Sequence, residues 1–153
     1  MNKQQAKEIV KSVHSTYDTI ASHFSQSRWK LWDDLHYFTP FIKDGQDILD
    51  IGCGNGRLVK LFNGRAVSYT GVDVSANLIQ EAQKHFEEHT IRPKFQVMDI
   101  FSLDTLNKEY DLVFLVAVLQ HIPQPLHDDA VDQVARRMKS GGVLCMTNWN
   151  VWQ

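Results

Sequence analysis

Cysteine is scarce: the chain of 153 residues holds two, Cys53 and Cys145, 92 positions apart. No CxxC occurs and neither cysteine has zinc-ligand spacing, so neither a disulfide framework nor a zinc cluster organises this protein. A pair of cysteines in a chain of this length fits a reduced compartment, and a cytoplasmic protein is expected. Long apolar runs are missing too. Nothing approaches the ~18 apolar residues of a membrane span. The polar start Met1-Asn-Lys-Gln-Gln-Ala-Lys-Glu8 has no signal-peptide core. No membrane association is expected. Nor is there an excess of positive charge: 16 Lys and Arg stand against 18 Asp and Glu, net −2. That excludes a globally basic nucleic-acid binder but leaves room for a local patch. Repeats and low-complexity tracts are absent, and the length suits one domain.

What is present is an alternation of periods. Ala6, Ile9, Val10, Val13, Tyr17, Ile20, Ala21 and Phe24 recur in steps of three and four, which predicts an amphipathic helix over residues 3–24. Trp29, Trp32, Leu35, Phe38 and Ile42 predict a second, bent near Pro40. From there short apolar runs alternate with helical patterns. Strands are predicted at residues 47–51, 68–74, 94–98, 110–116 and 143–149, with helical segments at 57–62, 75–89 and 126–138. Ser75 stands where it would cap the helix after the second strand, and Gly141-Gly142 is read as a turn before the last strand. Such alternation predicts an α/β fold, a Rossmann-like doubly wound parallel sheet of about five strands preceded by N-terminal helices. Ligands of such sheets bind beyond the carboxyl ends of the strands, at the switch point.

The strand ends carry the chemistry. The first reads Asp50-Ile-Gly52-Cys-Gly54-Asn-Gly56. Its glycines allow a tight turn and a close approach to a ligand, although a plain strand-to-helix turn would use them as well. The second strand ends at Asp73, 21 residues after Gly52. A carboxylate there has two acceptor oxygens and no donor, which suits the two hydroxyls of a ribose; the competing role is capping near Ser75. The third ends at Met98-Asp99-Ile100. Asp99 can accept from the exocyclic amine of a purine, or remain a solvated loop carboxylate. Seven histidines show no metal-ligand spacing on one helix face, and no metal is expected.

A dinucleotide fingerprint would need glycine at position 57, where arginine stands. The GxGxG loop preceded by Asp50, with Asp73 and Asp99 at the next strand ends, instead resembles the class I S-adenosylmethionine-dependent methyltransferases over residues 45–149. The resemblance implies S-adenosyl-L-methionine as cofactor. It implies that Gly52, Cys53, Gly54 and Gly56 line its methionine portion and that Asp50 helps position the amino-acid end. Asp73 and Val74 would meet the ribose, and Asp99 and Ile100 the adenine. In Val116-Ala-Val-Leu-Gln-His121 it implies a backbone facing cofactor and substrate, with Ala117 on the cofactor side and His121 positioning the acceptor or simply starting the next loop. Family members normally continue into two further strands, which this chain lacks. Either the chain is a piece of a longer protein, or a second copy or a partner subunit is expected over the edge of the fifth strand.

Residues 13–32 and the segment from Asn148 to Gln153 are similar to a narrower group, the tRNA wobble-uridine methyltransferases. Those enzymes methylate the carboxylate of 5-carboxymethyluridine with the help of a small zinc-binding activator subunit. This likeness implies that residues 1–44 fold as a helical cap over the cofactor site of a core spanning 45–153. It makes Tyr17 and Arg28 cofactor contacts, the arginine holding the methionine carboxylate bidentately; a core tyrosine and a surface ion pair are the alternatives. The acceptor is then a tRNA or a small molecule. Lys3, Lys7, Lys11, Arg28 and Lys30 against Glu8 and Asp18 give residues 1–30 a local positive balance, and Arg136, Arg137 and Lys139 form a second cluster. Both clusters permit phosphate contacts. A non-catalytic binding module on the same fold is the remaining alternative.

Overall fold

The computed structural model describes residues 1–27 and 30–148, with the backbone alone described for 22–27. Its elements run α1 (Lys3–Ser27), β1 (Asp47–Ile51), β2 (Ser68–Asp73), α2 (Ala76–Phe86), β3 (Lys94–Val97), β4 (Tyr110–Val116), α3 (His127–Ala135) and β5 (Met138–Thr147). The sheet has the order β3-β2-β1-β4-β5, and every pairing is parallel. The chain winds from β1 outward to β3, then returns to pair β4 on the other side of β1. The switch point thus lies between the carboxyl ends of β1 and β4.

Strand alternation sorts the side chains between two faces. Ile48, Tyr69, Leu112 and Phe114 pack with Phe62, Ile79 and Phe86 on one side. Leu49, Ile51, Val72, Val113 and Leu115 pack on the other with Ala6 and Val10 of α1, Leu103, Ala130 and Val134. Both faces of β1 and β4 are covered, so these strands read as unbroken apolar runs. Each large side chain so buried contributes about 1.5–3 kcal/mol.

Several elements depart from the sequence expectation. Asp33–Phe41 forms a 3-10 helix with Pro40 inside it, and Arg57–Phe62 is likewise 3-10. The tighter helix tolerates Pro40 near its end because few bonds remain to be lost there. The last strand begins at Met138, earlier than expected. Gly141-Gly142 is not a turn before it; the register shifts between Tyr110 and Leu112 across this stretch, and Gly141 takes φ 77°. Glycine absorbs a strand irregularity as readily as a reversal. On β5, Cys145 is buried while Leu144 and Met146 are exposed.

At the amino ends of the strands, Lys139 bridges Asp47 and Asp111 at 3.1 and 2.9 Å. Arg137 donates to the Leu106 carbonyl. Two members of the expected basic cluster at 136–139 therefore serve the fold, on the rim opposite the switch point.

Candidate functional site

One cavity opens at the carboxyl ends of β1 to β4, roofed by α1. Asp50, Asp73 and Asp99, from three adjacent strand ends, all line it, as do Gly52, Cys53, Gly54, Val74, Ile100, Ala117, Tyr17 and His121. Gly56 does not line it. A Cβ there would meet Phe95 Cζ at 2.8 Å, and its φ is +76°, so this glycine serves close packing behind the loop. Arg28 lies outside the described residues, as do the side chains of Phe24 and Trp29.

Gly52 shows why the first loop needs glycine. Its φ is +71°, and a Cβ would stand 2.4 Å from Val118 Cγ2. The β1 and β4 loops can approach this closely only without a side chain. The Asp73 carboxylate holds the same loop: Oδ2 accepts from the Gly54 N–H at 2.8 Å, and Oδ1 from the Ser75 N–H at 2.9 Å. Each oxygen keeps a second acceptor position. Ser75 Oγ in turn caps α2 by accepting from the Leu78 N–H at 3.2 Å. The expected capping role and a ligand-binding role are thus compatible in one carboxylate. Asp99 Oδ1 accepts from the Phe101 N–H at 3.0 Å, so this half-buried residue caps a 3-10 helix at the cavity wall.

Asp50 is 2% exposed, and its Oδ2 accepts from the Tyr69 hydroxyl on the neighbouring strand. Burial pushes its pKa up to about 7; the Asp73 charge adds to the rise, while the Tyr69 hydrogen bond and the Arg57 charge oppose it. Burial likewise raises Asp73, against its backbone hydrogen bonds and the nearby His14. Burial raises the Cys53 thiol well above its ordinary value, which keeps it a neutral wall residue.

The roof is tied down by side chains. Asp18 Oδ1 accepts from Ser75 Oγ at 2.9 Å and from the Asn77 N–H at 3.3 Å. Tyr17 and His121 meet across the cavity, hydroxyl to Nε2, at 3.0 Å. His121 follows the turn at Ala117, which has φ 55°. The Ala117 N–H is held by the Thr147 carbonyl at 3.0 Å and by Thr147 Oγ1 at 3.1 Å. Burial lowers the His121 pKa, which favours the neutral imidazole.

Sequence reasoning passed over His14 and Arg57, which also line the cavity. His14 had a usable signal: it follows Val13 on the face that carries Val10 and Tyr17. Arg57, whose guanidinium carbon stands 4.0 Å from the centroid of a Trp32 ring, entered only as the glycine that was missing. Among the described residues no group of three or more His, Cys, Asp or Glu could hold a metal ion. No described helix is long and apolar enough to cross a membrane.

The donors and acceptors fit a nucleoside bearing an amino acid. Asp73 offers acceptors to a diol, Asp99 lies among the apolar Met98, Ile100 and Phe101, and Asp50 offers negative charge to a cationic end.

Comparison with known proteins agrees in fold. The family described as "Methyltransferase domain" matches residues 48–142. A tRNA (carboxymethyluridine(34)-5-O)-methyltransferase of Arabidopsis thaliana is 31% identical over 140 residues, covering 91% of this chain and 33% of that protein. A ubiquinone biosynthesis O-methyltransferase of Coxiella burnetii is 31% identical over 106 residues, covering 69% of this chain and 44% of that one. The chain thus spans less than half the length of these relatives. Among solved structures, the [4+2]-cyclase SpnF superposes with a TM-score of 0.76 at 21% identity, over 91% of this chain and 60% of its own.

Proposed function

The chain belongs to the methyltransferase-domain family, and from that premise we propose that it transfers a methyl group from S-adenosyl-L-methionine. The observation that carries this reading is the convergence of Asp50, Asp73 and Asp99 on one cavity beside the glycine loop. In the proposal, Asp73 accepts from the ribose hydroxyls with the acceptor positions that Gly54 and Ser75 leave. Asp99 accepts from the adenine amine, with Ile100 and Phe101 against the ring. Asp50 faces the amino-acid end as a carboxylate. When bound, the cofactor supplies an activated methyl on a sulfonium. The protein's part is to align the acceptor and exclude water, and α1, pinned by Asp18 and Tyr17, serves as the cover.

The acceptor favoured is the carboxylate of a modified tRNA wobble uridine, because the likeness to the Arabidopsis protein runs through the N-terminal segment as well as the core. A carboxylate is already ionised at neutral pH and needs no base. His121 would then position it. A second reading, a small phenolic acceptor, is supported by a neutral imidazole at the cavity wall that can take a proton. The proposal includes a second copy or a partner subunit against β5, where Leu144 and Met146 are exposed, and a cytoplasmic setting. Labelled methyl transfer to tRNA rich in 5-carboxymethyluridine, set beside transfer to a panel of catechols, tests the acceptor. The first reading predicts label in tRNA; label in the catechols alone would replace it with the second.

A further inference from the structure

The cavity wall is acidic at three strand ends, yet the proposed cofactor carries an anion of its own at its amino-acid end. Among the described residues that line the cavity, Arg57 is the sole lysine or arginine. It stands directly after Gly56, whose φ of +76° ends the glycine loop, and its guanidinium carbon is 4.0 Å from the Trp32 ring centroid. A cation over an aromatic face is attracted by the ring, and the N–H donors of a guanidinium lie in one plane as a fork. Such a cation suits a carboxylate taken edge-on by two parallel hydrogen bonds. The Arg57 charge also acts on Asp50, and this cation and this carboxylate line the same cavity. That pairing complements a zwitterion, ammonium toward Asp50 and carboxylate toward Arg57.

We propose that Arg57, seated over the Trp32 ring, binds the carboxylate of the cofactor's amino-acid portion. The inference rests on the cofactor reading and refines it. It assigns to a residue of the β1 loop the role that the family likeness implied for Arg28.

Titration calorimetry with two ligands tests it: S-adenosylhomocysteine and its decarboxylated analogue, which differ only in the carboxylate. Wild type is expected to bind S-adenosylhomocysteine at least about tenfold tighter than the analogue, the scale of a charge-assisted hydrogen bond. Arg57→Met should bring that ratio close to one while changing affinity for the analogue less than about threefold. Trp32→Leu should reduce the ratio in part, since the guanidinium loses its seat. If Arg57→Met does not fold, Arg57→Gln is judged by the same ratio. A ratio kept by the Arg57 variants, a ratio lost only in Arg28→Met, or equal loss of both ligands in a folded Arg57 variant would overturn the inference and leave the cofactor reading standing. A wild type that binds neither ligand would overturn both.

Discussion

Tyr17 and His121, 104 residues apart in the chain, close the cavity between them: hydroxyl and Nε2 are 3.0 Å apart, and the rings meet edge-on with centroids separated by 5.4 Å. The contact ties the roof helix to the turn after β4, so one hydrogen bond couples the N-terminal segment to the acceptor side of the site. Tyr17→Phe keeps the ring contact and deletes the bond. A cost of about 1 kcal/mol to the closed position of α1 is expected, read by amide hydrogen exchange. Amides of α1 should exchange faster while those of β1 and β4 do not change. Uniform faster exchange would mean that the bond contributes to global stability and not to closure.

Asp50 gives the site a pH dependence. Its folded pKa of about 7 lies above the ordinary 3.8, so the folded state holds this proton more tightly than the unfolded state. Stability from this source is complete below about pH 4 and is lost as pH rises toward and through 7. Denaturation midpoints of wild type should therefore fall, relative to Asp50→Asn, between about pH 4 and 7. A cation bound beside Asp50 favours its ionised form, so binding of S-adenosylmethionine near pH 7 should release protons. Calorimetry in buffers of different ionisation enthalpy reads that release directly, and Asp50→Asn should abolish it.

The approach of Gly52 to Val118 can be tested by a pair of substitutions. Gly52→Ala puts a Cβ 2.4 Å from Val118 Cγ2 at a φ of +71°. Overpacking of this kind costs about 1–3 kcal/mol, and the left-handed backbone about 1–2 kcal/mol more. Adding Val118→Ala should return the overpacking part and leave the backbone part. Additive losses in the double variant would mean that the two loops are not in contact.

Much of this arrangement can be read from the residue pattern, for identifiable reasons. β1 (Asp47–Ile51) and β4 (Tyr110–Val116) were legible to the residue because both are apolar runs bounded by polar or glycine-rich sequence, as strands buried on two faces must be. Asp50, Asp73 and Asp99 were legible as candidates because strand ends locate the switch point before any coordinate does. The 3-10 character of Asp33–Phe41 and Arg57–Phe62 was not, since steps of three and four describe both kinds of helix. Gly141-Gly142 was misread because glycine marks a strand irregularity and a turn alike. Gly56 belongs to the glycine pattern but is required by Phe95, a neighbour that sequence order does not reveal. His14 and Arg57 depended on which face of the roof helix and which side of the loop meet the cavity, and pairing in space decides both.

The account depends most on Asp73 as the ribose acceptor at the end of β2. Titration calorimetry of S-adenosylhomocysteine into wild type and Asp73→Asn at pH 8 measures this most directly. Loss of a charge-assisted hydrogen bond predicts roughly tenfold to hundredfold weaker binding by the variant, with circular dichroism showing it folded. No binding by wild type, or equal binding by both proteins, would contradict it.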